Sequence, residues 1–406
     1  MLLAVPSRGK AYLTPEERRK LQLDFTVTNR DESYFDVVGR MALIRRTDDP
    51  QIVQQRDKLA MGLSCRRTKR QPVLDGELAL PSYYENPDEW ALTVEPLFAF
   101  ERSMSDLAGA WVASGDPYYA DCLVDVLERW AKEEAFYRFR FSPARPQTWF
   151  AIESMIFAAA LAFSTITGNI EIAPTRRESI ENWMMKIALR HFNTHLSWPS
   201  CCNNHYYRRA LYMTMVGVVA GNDKLFRTGL RSVYSALDDL TPGGAFALSL
   251  RRGWRAIHYQ NHSLLYLVTI MQIARRQGYD LFNLKVNGLG FEDAVSFLMR
   301  SLENPDHVEG LPEGEQDLEF TNDGQFFSWM EIWLSHFENP SMSRFLNHLR
   351  PIFNRSAGGY LTLYFKEPET PLTAIKRDLV DLDTARMSEA ELGARYPILE
   401  KWRRSR

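Results

Sequence analysis

From about residue 88 onward, apolar residues recur at helical spacing through most of the chain. The pattern predicts helices over Trp90–Ala113, Pro117–Ala135, Thr148–Thr167, Arg177–Phe192 and Asn204–Ala220. It continues over Asp223–Asp239, His262–Gln277, Phe291–Leu302, Gly324–Phe337 and Ser341–Phe353. Gly, Pro, Asn and Asp punctuate the joints, as in Gly115-Asp116-Pro117, Gly221-Asn222-Asp223 and Asn339-Pro340. Strand-like alternation is scarce, with Ala245–Leu250 and Tyr360–Phe365 the best short candidates. Residues 1–80 read as a polar, irregular arm carrying one helical pattern at Pro15–Asp24, with Thr14 as its cap. Helix after helix with short connections implies an all-α domain over residues 81–406, built of antiparallel pairs. Closure into an (α/α) toroid, complete or incomplete, gives both sides of each hairpin a partner. No self-similar period supports a solenoid instead.

Composition narrows the functional classes. The 406 residues are 45% apolar and 25% charged, which suits a soluble globular protein with a sizeable core. A net charge of −2 argues against nucleic-acid binding through a global positive field. Charge is uneven locally, with Arg66, Arg67, Lys69 and Arg70 forming one basic run and Arg251, Arg252 and Arg255 another. Either run suits an anion held in a cleft, or simply a solvated surface. The most apolar stretch, Met155–Ile166, reads as too short for a membrane span, and a monomer is expected. The N-terminus lacks the basic region, long apolar core and cleavage site of a signal peptide, which points to a cytoplasmic chain or a missing leader. The four cysteines, Cys65, Cys122, Cys201 and Cys202, lack zinc spacing but permit two disulfides, so they lean toward an oxidising compartment. Neither a phosphate loop nor His-Glu-x-x-His occurs, and no metal or cofactor is expected.

Two segments carry the chemistry. Cys201-Cys202-Asn203-Asn204-His205-Tyr206-Tyr207-Arg208-Arg209 opens a predicted helix, where Asn203 could simply be the N-cap and His205 a structural histidine. Arg251 to His262 packs three arginines, two histidines, a Trp and a Tyr into twelve residues, with no Glu or Lys interleaved. Such a segment resembles a sugar-binding floor with clamps for carboxylates. Glycosidases need two carboxylates, and neither segment has one; Glu315 and Asp317 are the acidic cluster that could supply them. Elimination from a uronate needs a different set. The C5 proton becomes acidic only when the adjacent carboxylate is neutralised, which Asn, His and Arg can do. A base then removes it and an acid protonates the leaving O4. Tyr can serve in both roles beside a cation that lowers its pKa from about 10. Arg252 precedes Tyr259 by seven residues, so a helical segment would put both on one face.

These segments resemble the mannuronate-type alginate lyases, the fifth polysaccharide lyase family. The resemblance rests on Asn203-Asn204-His205-Tyr206-Tyr207 and on Arg251-Arg252-Gly253-Trp254-Arg255-Ala256-Ile257-His258-Tyr259-Gln260-Asn261. Weaker similarity covers Phe100–Trp130 and Gly314-Glu315-Gln316-Asp317, so it spans roughly residues 80–340. It implies a toroid with a tunnel-like cleft, a periplasmic or secreted location, no metal, and cleavage of an acidic polysaccharide. Asn204 and Arg252 would neutralise the uronate, His205 would assist or act as base, and Tyr259 would be the acid, or both acid and base. Tyr83, Tyr84, Arg66, Arg67, Tyr207, Arg208, Trp254, Arg255, Asn261 and His262 would contact substrate, with Tyr83-Tyr84-Glu85 at a lid. A vicinal Cys201–Cys202 disulfide and a Cys65–Cys122 bridge are implied as well. Arg208 stands where some alginate-specific members have Trp, and Tyr83 near a Lys, which opens the substrate to glucuronate-bearing or branched exopolysaccharides. A non-catalytic binding or biosynthesis protein on the same scaffold and an (α/α) glycosidase are the competing readings.

Overall fold

The computed structural model describes residues 24–60, 65–83, 85–139, 147–193, 203–368 and 397–404. The helix expected over Pro15–Asp24, and Tyr84, Cys201 and Cys202, lie outside these residues, Asp24 excepted. The helices are α1 (Val37–Arg46), α2 (Pro50–Ala60), α3 (Pro87–Ser114), α4 (Pro117–Lys132), α5 (Gln147–Thr167) and α6 (Pro174–Asn193). They continue with α7 (Asn204–Val219), α8 (Asp223–Asp238), α9 (Ala256–Arg276), α10 (Phe291–Glu303), α11 (Ser328–Leu334), α12 (Pro340–Asn347) and α13 (Pro397–Arg404).

Two kinds of helix alternate, and their sequences say why. In α5 every residue but Gln147, Ala151 and Ser154 is buried, and α7 and α9 are nearly as enclosed. A helix apolar on all sides needs partners on all sides. By contrast α4, α8 and α10 bury a single stripe and leave a polar face to water. Accordingly α3 packs on α5, α5 on α7, α7 on α9, and α9 on α11 as an inner ring. Helices α4, α6, α8 and α10 cover its outside. The ring passes from α11 through the helical turn Leu361–Phe365 to α2, which returns to α3.

That closure corrects the reading of the arm as irregular. Tyr34, Phe35, Val37, Ile44, Ile52 and Leu59 belong to the common core. Arg40 donates to the backbone oxygens of Thr362 (3.2 Å), Leu363 and Lys366 (2.6 Å), and Lys366 pairs with Asp49. A disulfide joins Cys65, on the turn Cys65–Thr68, to Cys122 of α4.

Other expectations also shift. Ala245–Leu250 and Tyr360–Phe365 hold short helical turns rather than strands, because Leu361–Phe365 is buried on every side and shows no alternation to read. A small antiparallel hairpin, β1 (Lys285–Val286) and β2 (Leu289–Gly290), turns at Asn287-Gly288, both at positive φ. Helix α9 begins six residues before the expected His262, since Gln260 and Asn261 are polar yet buried and satisfied by backbone groups. The segment Gly324–Phe337 divides into a 3₁₀ turn and α11, and α12 stops at Asn347, short of Pro351. Helix α5 is long and apolar enough to cross a membrane, contrary to the reading of its core as too short, but it is a buried inner helix.

The hairpin α7–α8 depends on two glycines. A Cβ on Gly217 would lie 2.5 Å from the Phe226 nitrogen, and one on Gly229 would lie 1.7 Å from the Thr214 hydroxyl oxygen. Gly229→Ala should therefore cost about 1–3 kcal/mol by overpacking, read as a lowered urea midpoint. An unchanged midpoint would show that the two helices have room to spare.

Candidate active site

The N-termini of α7 and α9 meet on the inner ring. Helix α7 starts at Asn204 because the Asn203 side chain accepts from the backbone N–H groups of His205 (3.1 Å) and Tyr206 (3.4 Å). Asn203 is thus the cap, and Asn204 and His205 occupy the first turn, half-buried. Helix α9 starts at Ala256, and α7 packs along it. Both starting turns carry the partial positive charge of their helix dipoles, which favours an anion between them.

The segment Arg251–Arg255 precedes α9 as a loop and a 3₁₀ turn. A neighbouring loop holds it in place. The Asp317 N–H donates to the Trp254 oxygen (2.7 Å), and the Gln316 amide bonds the Gly253 oxygen (3.3 Å) and the Ile257 N–H (3.4 Å). The Asp317 carboxylate pairs with Arg255 at 3.6 Å. So held, Arg252 folds back over the Tyr259 ring, its guanidinium carbon 3.9 Å from the centroid. The two meet across a turn and not along one helical face, as the seven-residue spacing had implied. His258, His262 and Tyr266 follow at four-residue intervals along α9. His258 and His262 have centroids 4.7 Å apart, and Tyr266 Oη is 3.5 Å from His262 Nδ1.

Helix α5 supplies the opposite wall. Phe150 stacks flat on His205, with centroids 4.2 Å apart and planes at 7°, and Arg208 lies 4.6 Å over the Phe150 ring. Glu153, 0% exposed, accepts from Arg209 Nε (2.9 Å) and Arg208 Nε (3.3 Å). Burial pushes His205 down to about 3, helped by the cations of Arg208, Arg252 and Arg209. It likewise pushes His258 down to about 4, and His262 well below its ordinary range. The histidines of the cleft are therefore neutral at physiological pH, in a setting charged by arginine.

Sequence reading found Asn204, His205, Arg252 and Tyr259, and the structure gathers them at these two helix starts. Arg208 and His262 join them. Trp254 is 55% exposed with Arg255 over its ring at 4.3 Å, at the rim. Two expected substrate contacts are corrected. Tyr207 is 1% exposed in the core, and Asn261, 0% exposed, spends its amide on the Phe326 oxygen and the Trp329 indole N–H, both at 2.8 Å. Each lies two residues past a site residue on its helix, which turns it toward the far side. Arg66 and Arg67 are exposed on the turn fastened to α4, and Tyr83 sits edge-on to Trp90 at 4.9 Å. Sequence reading missed Phe150, Glu153 and the holding role of Gln316 and Asp317. A lone acid inside the most apolar helix was the available signal for Glu153. Among the described residues no group of three or more His, Cys, Asp or Glu is placed to hold a metal ion.

The buried histidines have a consequence for stability. His191, His205, His258, His262 and His336 all titrate below the usual 6.5. Between pH 6.5 and about 4 the unfolded chain binds protons that the folded chain refuses, so stability falls as pH falls. Burial raises Glu101 to about 7 and Asp106 upward, which acts in the opposite sense. Five histidines outweigh two carboxyls, and Tm should drop steadily across that window. A flat or rising Tm would contradict it.

The alginate lyase family profile matches residues 57–308. A polysaccharide lyase of Stenotrophomonas maltophilia is 26% identical over 187 residues, which is 46% of this chain and 56% of that protein. An alginate lyase of Azotobacter chroococcum is 25% identical over 73% of this chain and 83% of its own length. Among solved structures, alginate lyase A1-III from Sphingomonas species A1 superposes with a TM-score of 0.76 at 28% identity, covering 84% of this chain and 98% of that one. A histidine-to-alanine variant of A1-III complexed with tetrasaccharide gives 0.77 at 29% identity, covering 86% and 98%. With the match running over more than half its length, the chain belongs to the alginate lyase family, a family of polysaccharide lyases.

Proposed function

We propose that this lyase cleaves a uronate-bearing polysaccharide, alginate foremost, by β-elimination at the meeting of α7 and α9. The observation that carries this reading is the Arg252–Tyr259 pair beside a neutral His205 at two helix N-termini. A uronate carboxylate placed there meets the Asn204 amide, the Arg252 guanidinium and the dipoles of both helices, which withdraw its charge. The C5–H bond can then break, its electrons forming the C4–C5 double bond as the C4–O4 bond is released. Where H5 and O4 share one face of the ring, Tyr259 in its phenolate form receives the C5 proton and passes it to the departing O4. His205 is a weak base in this setting, so its part is hydrogen bonding to the carboxylate.

Relatives support the substrate class through their names, alginate lyase and polysaccharide lyase. The glycosidase reading loses its carboxylates. Asp317 is engaged by Arg255 and Glu315 is exposed, while Glu101 and Glu153 are both at 0% exposure and bonded to arginines. The Cys65–Cys122 bridge favours an oxidising compartment, periplasmic or extracellular.

Tyr259→Phe should lower kcat by about 10²–10⁴-fold while polymer binding persists. The assay follows ultraviolet absorbance of the new C4–C5 double bond on polymannuronate, polyguluronate, glucuronan and hyaluronan. An unaffected rate would remove Tyr259 from the chemistry.

A further inference from the structure

The elimination leaves one cation of the cleft floor unspent. Arg208 Nε donates to Glu153, and its guanidinium also reaches the Tyr266 hydroxyl. Its Nη2 is closed off from solvent and has no hydrogen-bond partner among the described residues. Such a nitrogen is costly unless an acceptor arrives. Glu153 does not cancel the charge, because its single carboxylate is shared with Arg209. Glu101 also acts on Arg208, but its carboxylate is taken up by Arg355 and Ser356, so positive charge is left over around the two arginines.

Arg208 and the Glu153 that it bonds border a cavity of about 160 Å³, whose other polar walls include His262, Tyr266, Gln325, Asn354 and Ser356 and whose remainder is mostly apolar. At about 30 Å³ per water that is room for a carboxylate with a few waters. The cavity shares Arg208 and His262 with the cleft. Arg208 lies one turn after Asn204 on the same face of α7, about 6 Å along the axis, roughly one pyranose further. Its charge is felt by both His205 and His262.

We propose that this cavity receives the carboxylate of the uronate next to the one being cleaved, with Arg208 as its counter-charge. This rests on the lyase reading above and sharpens its substrate class, because the enzyme then favours two consecutive uronates over an isolated one. A polymer in which uronate alternates with a neutral sugar offers the cavity nothing to neutralise.

The test compares wild type, Arg208→Gln and Arg208→Lys on a homopolymer, polymannuronate or glucuronan, and on hyaluronan, where uronate alternates with N-acetylhexosamine. Arg208→Gln should raise KM on the homopolymer about tenfold with kcat within about twofold, and Arg208→Lys should recover part of the loss. KM on hyaluronan should rise much less than on the homopolymer. Glu153 keeps Arg209 in the Gln variant, and thermal unfolding checks its fold. Independently of any variant, a diuronate should inhibit the wild type at least about tenfold more tightly than a monouronate. An unchanged homopolymer KM, an equal loss of kcat on both polymers, or equal inhibition by mono- and diuronate would overturn the assignment and make Arg208 structural. Failure of the wild type to form unsaturated product on every uronate polymer would instead sink the lyase reading, and this inference with it.

Discussion

Glu153 is buried in the most enclosed helix of the ring, and two arginines from the next helix converge on it. A carboxylate so far from water is tolerated only with charged donors in place, and removing one partner of such a pair costs about 3–5 kcal/mol. The bond network therefore fixes the first turns of α7 against α5. Phe150, three residues before Glu153, lies flat on His205 as a result, and Arg208 is held with one buried nitrogen unpartnered among the described residues. The position of the histidine, the orientation of the floor and the surplus charge all follow from one ion cluster.

The ring does the rest. Helices apolar all round must sit inside, and the outer, amphipathic ones return the chain so that consecutive inner helices start at the same end. That topology places the N-termini of α7 and α9 side by side. An anion entering there meets helix dipoles and arginine at once, while burial keeps the neighbouring histidines neutral. The site is thus electropositive without being acidic, which suits withdrawal of charge from a carboxylate better than proton donation by imidazolium.

Much of this was legible in the sequence, for identifiable reasons. Long apolar periodicity marked α3 to α12, and an excess of Arg, His and aromatic residues marked the segment holding Arg252 and Tyr259. What escaped were matters of rotation and of distant packing. Tyr207 and Asn261 sit beside site residues in sequence, yet two positions along a helix is more than half a turn, and both face the core. Arg252 meets Tyr259 only because Gln316 and Asp317, some sixty residues on, hold the loop between them. The buried face of the N-terminal arm was equally hidden, since its contacts run to the other end of the chain, at Leu361–Phe365.

Elimination and hydrolysis differ in one atom. Digestion of polymannuronate in heavy-oxygen water, followed by mass spectrometry of the oligosaccharides, measures that difference directly. Elimination leaves one fragment lighter by a water at its new non-reducing end, with no heavy oxygen fixed by bond cleavage. Fragment pairs that together gain one water per cleaved bond, with heavy oxygen built in at that bond, would contradict the account.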